Sequence, residues 1–126
     1  AVMPADHPLT RQICIRPEDL AGVPLILPGR EEVRKTIISW MQGYYEDSQT
    51  VLISNLAFNG IQMVTAGLGV FVGIPGVGLD LLSGELETRS LQPALSSFSD
   101  IVWKPDVPLS TAAEAFIRFL KEKGDL

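Results

Sequence analysis

Between Asn55 and Pro75 the chain reads NLAFNGIQMVTAGLGVFVGIP: a helical pattern that stops at Gly67, a Gly-Leu-Gly turn, and an apolar strand closed by Pro75. The order of these elements constrains the chain more than any other feature. A dinucleotide-binding glycine turn follows a strand and opens a helix, because a phosphate sits on the free N–H groups of a helix N-terminus. Here the glycines close a helix, so a phosphate-binding role fails on polarity. Gly67 reads instead as a helix C-cap in the left-handed conformation, and Gly69 as the small residue that lets the outgoing strand pack closely.

The rest of the chain continues the same rhythm. Val2 and Met3 end a strand, Pro4, Asp6 and Pro8 form a turn, Pro17 to Ala21 is a short helical turn capped by Gly22, and Pro24 to Leu27 is a buried strand. Glu31 to Tyr45 places Val33, Ile37, Trp40 or Met41, and Tyr44 on one helical face, with Glu32, Lys35 and Gln42 opposite. Thr50 to Ser54 is a β-branched strand. Leu56 to Ala66 is a helix with Ile61, Met63 and Val64 inward, and Val70 to Ile74 a second buried strand. Val77 to Leu82 reads as a short helix stopped by Gly84, and Glu87 to Leu91 and Ser99 to Trp103 as the last strands. Thr111 to Lys121 is a helix that buries Ala112, Ala115 or Phe116, Phe119 and Leu120, with Thr111 and Glu114 spaced as a capping box.

Buried strands separated by helices imply an α/β fold with a mostly parallel sheet and helices on both faces. Such sheets bind ligands beyond the carboxyl ends of their strands, where helix N-termini collect. Two positions have that geometry: Pro28-Gly29-Arg30 before the Glu31 helix, and Ser54-Asn55 before the Leu56 helix. Each aims backbone N–H groups at a negatively charged ligand. The plain alternatives are that Arg30 is a solvated first-turn residue and Asn55 an N-cap.

Composition limits the partners. Fifteen Asp and Glu against ten Lys and Arg leave a net charge of −5, the wrong sign for a phosphate backbone, so this segment is not expected to bind nucleic acid. The single cysteine, Cys14, forms no internal disulfide and reads as a half-buried small hydrophobe. One histidine, His7, between Asp6 and Pro8, and one cysteine fall short of a zinc site, and no metal or cofactor is expected. Neither Ser96 nor Ser97 lies in a nucleophile-elbow context, and Glu31, Glu32, Glu46 and Asp47 read as solvated helix charges. The chain therefore reads as no enzyme. No apolar run reaches the ~18 residues that span a bilayer, which leaves a cytoplasmic location as the default and no membrane partner.

Four blocks resemble the effector-binding domain of LysR-type transcriptional regulators, in the order and spacing of that family. The Gly67 run is similar to the family's "lVaaGlGialLP"; AVMPADHPL at Ala1 to Leu9 resembles "vvlPaxHPLA"; RPEDLAGVPLILP at Arg16 to Pro28 resembles "xxdLaxxPlIxx"; and VPLSTAAEAFIRFL at Val107 to Leu120 resembles "xxLSpaaxaFixxL". The resemblance implies a three-layer sandwich subdomain of the type II periplasmic-binding-protein-like fold. Residues 1–95 would be the second effector-binding subdomain, and residues 96–126 the returning strand and C-terminal helix of a first subdomain otherwise missing.

The resemblance further implies a fragment of a longer protein that senses a small metabolite in a cleft between subdomains. Its other partners would be copies of itself, as a dimer and in the intact regulator a tetramer, and DNA only through a missing N-terminal winged helix-turn-helix. The family commonly uses a Thr or Ser hydroxyl in the loop matched by Pro28-Gly29-Arg30; Gly29 and Arg30 stand there instead, which points to a different effector chemistry. Two other readings share the architecture: a lobe of a periplasmic solute-binding protein, and an enzyme domain of the same fold.

Overall fold

Side-chain alternation along three short strands decides the architecture. The computed structural model describes residues 1–74, 84–96 and 100–124. Its strands are β1 (Val2–Pro4), β2 (Cys14–Ile15), β3 (Leu25–Pro28), β4 (Thr50–Ser54), β5 (Val70–Phe71), β6 (Leu86–Thr88) and β7 (Ser90–Leu91), and its helices α1 (Glu31–Met41), α2 (Ala57–Thr65) and α3 (Thr111–Lys123). Leu25, Leu27, Val70, Val72 and Met3 join one apolar cluster with Ile37, Trp40 and Met41 of α1. Ile26, Phe71 and Val2 join a second with Ile61 and Val64 of α2. Successive strand residues point to opposite faces, so α1 and α2 cover opposite faces of one sheet. Leu25, Ile26 and Leu27 are fully buried, and burial of each such side chain contributes about 1.5–3 kcal/mol.

The sheet has the order β4-β3-β5-β1-β6. β3 pairs in parallel with β4 and β5, while β1 runs antiparallel to β5 and β6, so every strand but β1 points the same way. β2 and β7 pair in parallel as a separate two-stranded sheet. The expected mostly parallel, doubly covered sheet is present. At the glycine turn, Gly67 caps α2 with φ +78°, and a side chain on Gly69 would collide with the Pro24 carbonyl oxygen, so both expected roles hold.

Several boundaries differ from the sequence reading. α1 stops at Met41 rather than reaching Tyr45, because Gln42 turns to φ +54° and returns its N–H to the Ser39 carbonyl; Tyr44 is left exposed. β5 is shorter than Val70 to Ile74, although the Val72 N–H still bonds the Ile26 carbonyl. The expected strand over Glu87 to Leu91 is split at Arg89 into β6 and β7, which belong to different sheets. Arg89 ties that switch down, donating to the carbonyls of Thr10, Gln12 and Thr88 and to Glu87 Oε2 at 2.6–2.8 Å. The helix expected over Val77 to Leu82 lies outside the described residues.

The backbone divides into two compact units, Ala1–Ser96 and Ser97–Leu126. In the second, residues 100–103 form no strand, contrary to the expectation for Ser99 to Trp103, and Val102 and Trp103 are exposed; Ser99 itself is not among the described residues. A strand needs a ladder partner for its N–H and C=O groups, and none of the described strands pairs with this segment. α3 forms as expected, but its N-cap is Ser110, whose Oγ accepts from the Ala113 N–H at 3.3 Å, in place of the Thr111 and Glu114 box. Gly124 closes it at φ +78°. The expected burial of Ala112, Ala115 or Phe116, Phe119 and Leu120 is not found: α3 has no buried residue, and Phe116 and Phe119 are more than half exposed.

Candidate functional site

The two loops singled out by the strand-to-helix pattern are neighbours. Pro28 at the end of β3 is in register with Ser54 at the end of β4, and the Gly29 N–H donates to the Ser54 carbonyl at 2.8 Å. Both strands run the same way, so both chains leave the sheet at one edge and turn into helices on opposite faces. The approach is tight. A methyl group on Gly29 would overlap the Asn55 side-chain oxygen and come within 2.9 Å of the Asn55 Cα, so the residue is glycine for space and not for an unusual φ.

Neither helix is capped by a side chain. Arg30 is the N-cap of α1 and Leu56 the N-cap of α2, and neither donates or accepts a capping hydrogen bond. Arg30 thus stands one position earlier than a first-turn residue, and Asn55 is not the cap expected of it. Ser54 Oγ donates to the Leu56 carbonyl at 2.8 Å, which holds the turn between β4 and α2. The first-turn N–H groups of both helices therefore face the sheet edge, a positive electrostatic end on either side of it.

Arg30 is exposed and lines an open groove of about 420 Å³ with Glu31, Glu32 and Lys35. Lys35 Nζ pairs with Glu31 Oε1 at 2.6 Å, one helical turn apart. Among the described residues Arg30 is in no ion pair, so its guanidinium is the cation at this edge available to a ligand. The groove balances two positive against two negative side chains. Its side chains therefore carry no general excess of positive charge.

Sequence reasoning missed Arg34. Its Nη1 donates to the carbonyls of Pro28 and Gly29 at 3.0 and 2.9 Å, so the guanidinium reaches back from α1 and holds the loop that precedes it. Helical side chains lean toward the N-terminus, and a long cation one turn inside a helix that follows a Pro-Gly loop is the signal that could have found it. Among the described residues no cluster of His, Cys, Asp and Glu is placed to hold a metal ion. His7 Nδ1 accepts from the Leu9 N–H at 3.2 Å as the cap of a short turn, a structural use of the chain's one imidazole.

Residues 1–125 match the LysR substrate binding domain. The chain belongs to that family. It is an effector-sensing regulatory domain of the LysR type. Among solved structures, HinK, a LysR family transcriptional regulator from Pseudomonas aeruginosa, superposes with a TM-score of 0.74 over 97% of this chain at 20% identity, which speaks for the fold. The reduced form of the OxyR regulatory domain from Pseudomonas aeruginosa is 25% identical over 74% of the chain with a TM-score of 0.54, and full-length OxyR gives 24% and 0.53. The chain spans 43% of the HinK chain and 46% and 33% of the two OxyR chains, less than half of each. No protein with a curated description matches it in sequence. No described helix is long and apolar enough to cross a membrane.

Proposed function

We propose that this domain recognises a small anionic metabolite with Pro28, Gly29, Arg30, Ser54 and Asn55. The observation that carries the reading is the pairing of two uncapped helix starts on adjacent parallel strands, joined by the Gly29 to Ser54 hydrogen bond. An anion at this edge is met by N–H groups from both faces of the sheet and by the Arg30 guanidinium, and needs no other charge. In the whole protein, residues 96–126 would return to a first subdomain, the cleft would close between the two, and occupancy would shift the geometry of a DNA-bound oligomer. Contact with DNA would come from a domain outside this chain, in keeping with its net charge of −5. The location would be cytoplasmic, and the domain would bind and release its ligand without chemical turnover.

The test is a thermal-shift and calorimetric titration with sulfate, phosphate and a panel of short mono- and dicarboxylates, on the natural chain and on Arg30→Ala. At least one anion is expected to stabilise the natural chain, and Arg30→Ala to lose most of that stabilisation. Its own stability should change by no more than about 0.5 kcal/mol, since the side chain is exposed and unpaired. Equal binding by both forms would remove Arg30 from the site, and salt-sensitive binding of duplex DNA by this chain would overturn the division of labour.

A further inference from the structure

We propose that α1 is a lever joining the ligand-facing loop to the segment by which the chain leaves its first unit, with Trp40 as the positioning residue at the far end. The proposal rests on reading the Pro28 to Arg30 loop as the effector site. Near its N-terminus α1 holds that loop through the Arg34 fork on the Pro28 and Gly29 carbonyls. Near its C-terminus the Trp40 indole N–H donates to the Pro93 carbonyl at 2.7 Å, across 53 residues of sequence. Six residues of helix separate the two grips, about 9 Å along a rigid axis. A displacement imposed at one end is therefore delivered to the other.

The far grip is built to transmit. Trp40 is only 8% exposed and packs in the α1 cluster, so its ring cannot swing free of the helix. Leu91 and Leu95 lean on the same cluster from the exit segment. A further tie of that segment is the Gln92 N–H to the Ile15 carbonyl at 2.8 Å, which extends the β2 and β7 pairing. Open depressions of about 470 and 420 Å³ adjoin the contact, one lined by Trp40, Leu95 and Ser39, the other by Gln92, Pro93, Gln42 and Tyr44. Both depressions open to solvent, so a small shift of the segment on that side displaces water and not packed side chains. Hydrogen bond and ring together make the exit segment follow the helix, and the helix follow the loop.

The experiment is a double-mutant cycle on the chain without any ligand, using Arg34→Lys to weaken the near grip and Trp40→Phe to delete the far donor while keeping a ring. Amide hydrogen exchange at Gln92, followed by NMR, is the readout. Arg34→Lys is expected to speed Gln92 exchange by about threefold or more in the Trp40 background and to have no further effect in W40F. Arg34→Gln serves as the second near-grip variant should the lysine retain the loop, and native dispersion of the spectrum certifies the fold of each. Changes at Gln92 that are absent, or the same in both backgrounds, would overturn the lever while leaving the anion reading intact. Failure of every anion to bind would overturn that reading and leave the cycle interpretable.

Discussion

The two units of this chain obey the same local rules and end in opposite states. Ala1–Ser96 contains every buried apolar residue described, from Ala1 to Val72, whereas the helix of Ser97–Leu126 is capped at both ends and buries nothing. α1 and α3 are both amphipathic and of similar length, yet Ile37, Trp40 and Met41 reach a sheet while Phe116 and Phe119 stay exposed. Amphipathic periodicity specifies which face of a helix is to be buried. A partner surface decides whether it is. For α3, end-capping and helix propensity supply what order there is, and an uncovered aromatic stripe of this kind is ordinarily a place of association.

The sharpest break between the units is core truncation. Leu27→Ala removes a fully buried side chain from an interior strand of the sheet and is expected to cost about 2–5 kcal/mol, read from urea unfolding. Phe119→Ala, a larger truncation on α3, should change the unfolding free energy read the same way by no more than about 0.5 kcal/mol. Comparable losses would mean that α3 packs into the core in solution, and the contrast would be void. The next effect tests the tightness of the site within the first unit. Gly29→Ala drives a methyl group into Asn55 and should destabilise by about 1–3 kcal/mol, with only partial recovery on adding Asn55→Ala, because the Asn55 Cα also stands in the way. Full recovery would place the clash in the side chain alone.

The smallest effect belongs to the second unit. Ser110→Ala deletes the cap of α3 and should cost that helix about 1 kcal/mol, seen as reduced far-UV helicity with the urea midpoint of the first unit unmoved. A midpoint that moves together with the helicity would show the two units unfolding as one.

Much of the first unit could be read from local pattern. The limits of β4, the C-cap at Gly67, the close approach at Gly69 and the inward set Ile61 and Val64 all follow from periods and residue types that act over a few positions. The adjacency of Pro28-Gly29-Arg30 and Ser54-Asn55 was legible too, because parallel strands joined by crossover helices bring their carboxyl ends to one edge. Arg34 was not, since an arginine on a helix can face solvent or fold back, and the choice depends on carbonyls left open by the preceding turn. The strand over Glu87 to Leu91 misled for a related reason. Its pattern is continuous, but the ladder partner changes at Arg89 from β1 to β2, and a partner is not a local property.

Sequence by itself determined the run of elements from β3 through α1, β4 and α2 to β5, the covering of both faces of the sheet, the helix stop at Gly67 and the family, because each is encoded in short-range periodicity or in motifs carried by consecutive residues. Tertiary structure alone decided the strand order with β1 reversed between β5 and β6 and the grip of Trp40 on the Pro93 carbonyl. Those features join residues distant along the chain. Their energy comes from partners that a local window of sequence does not contain.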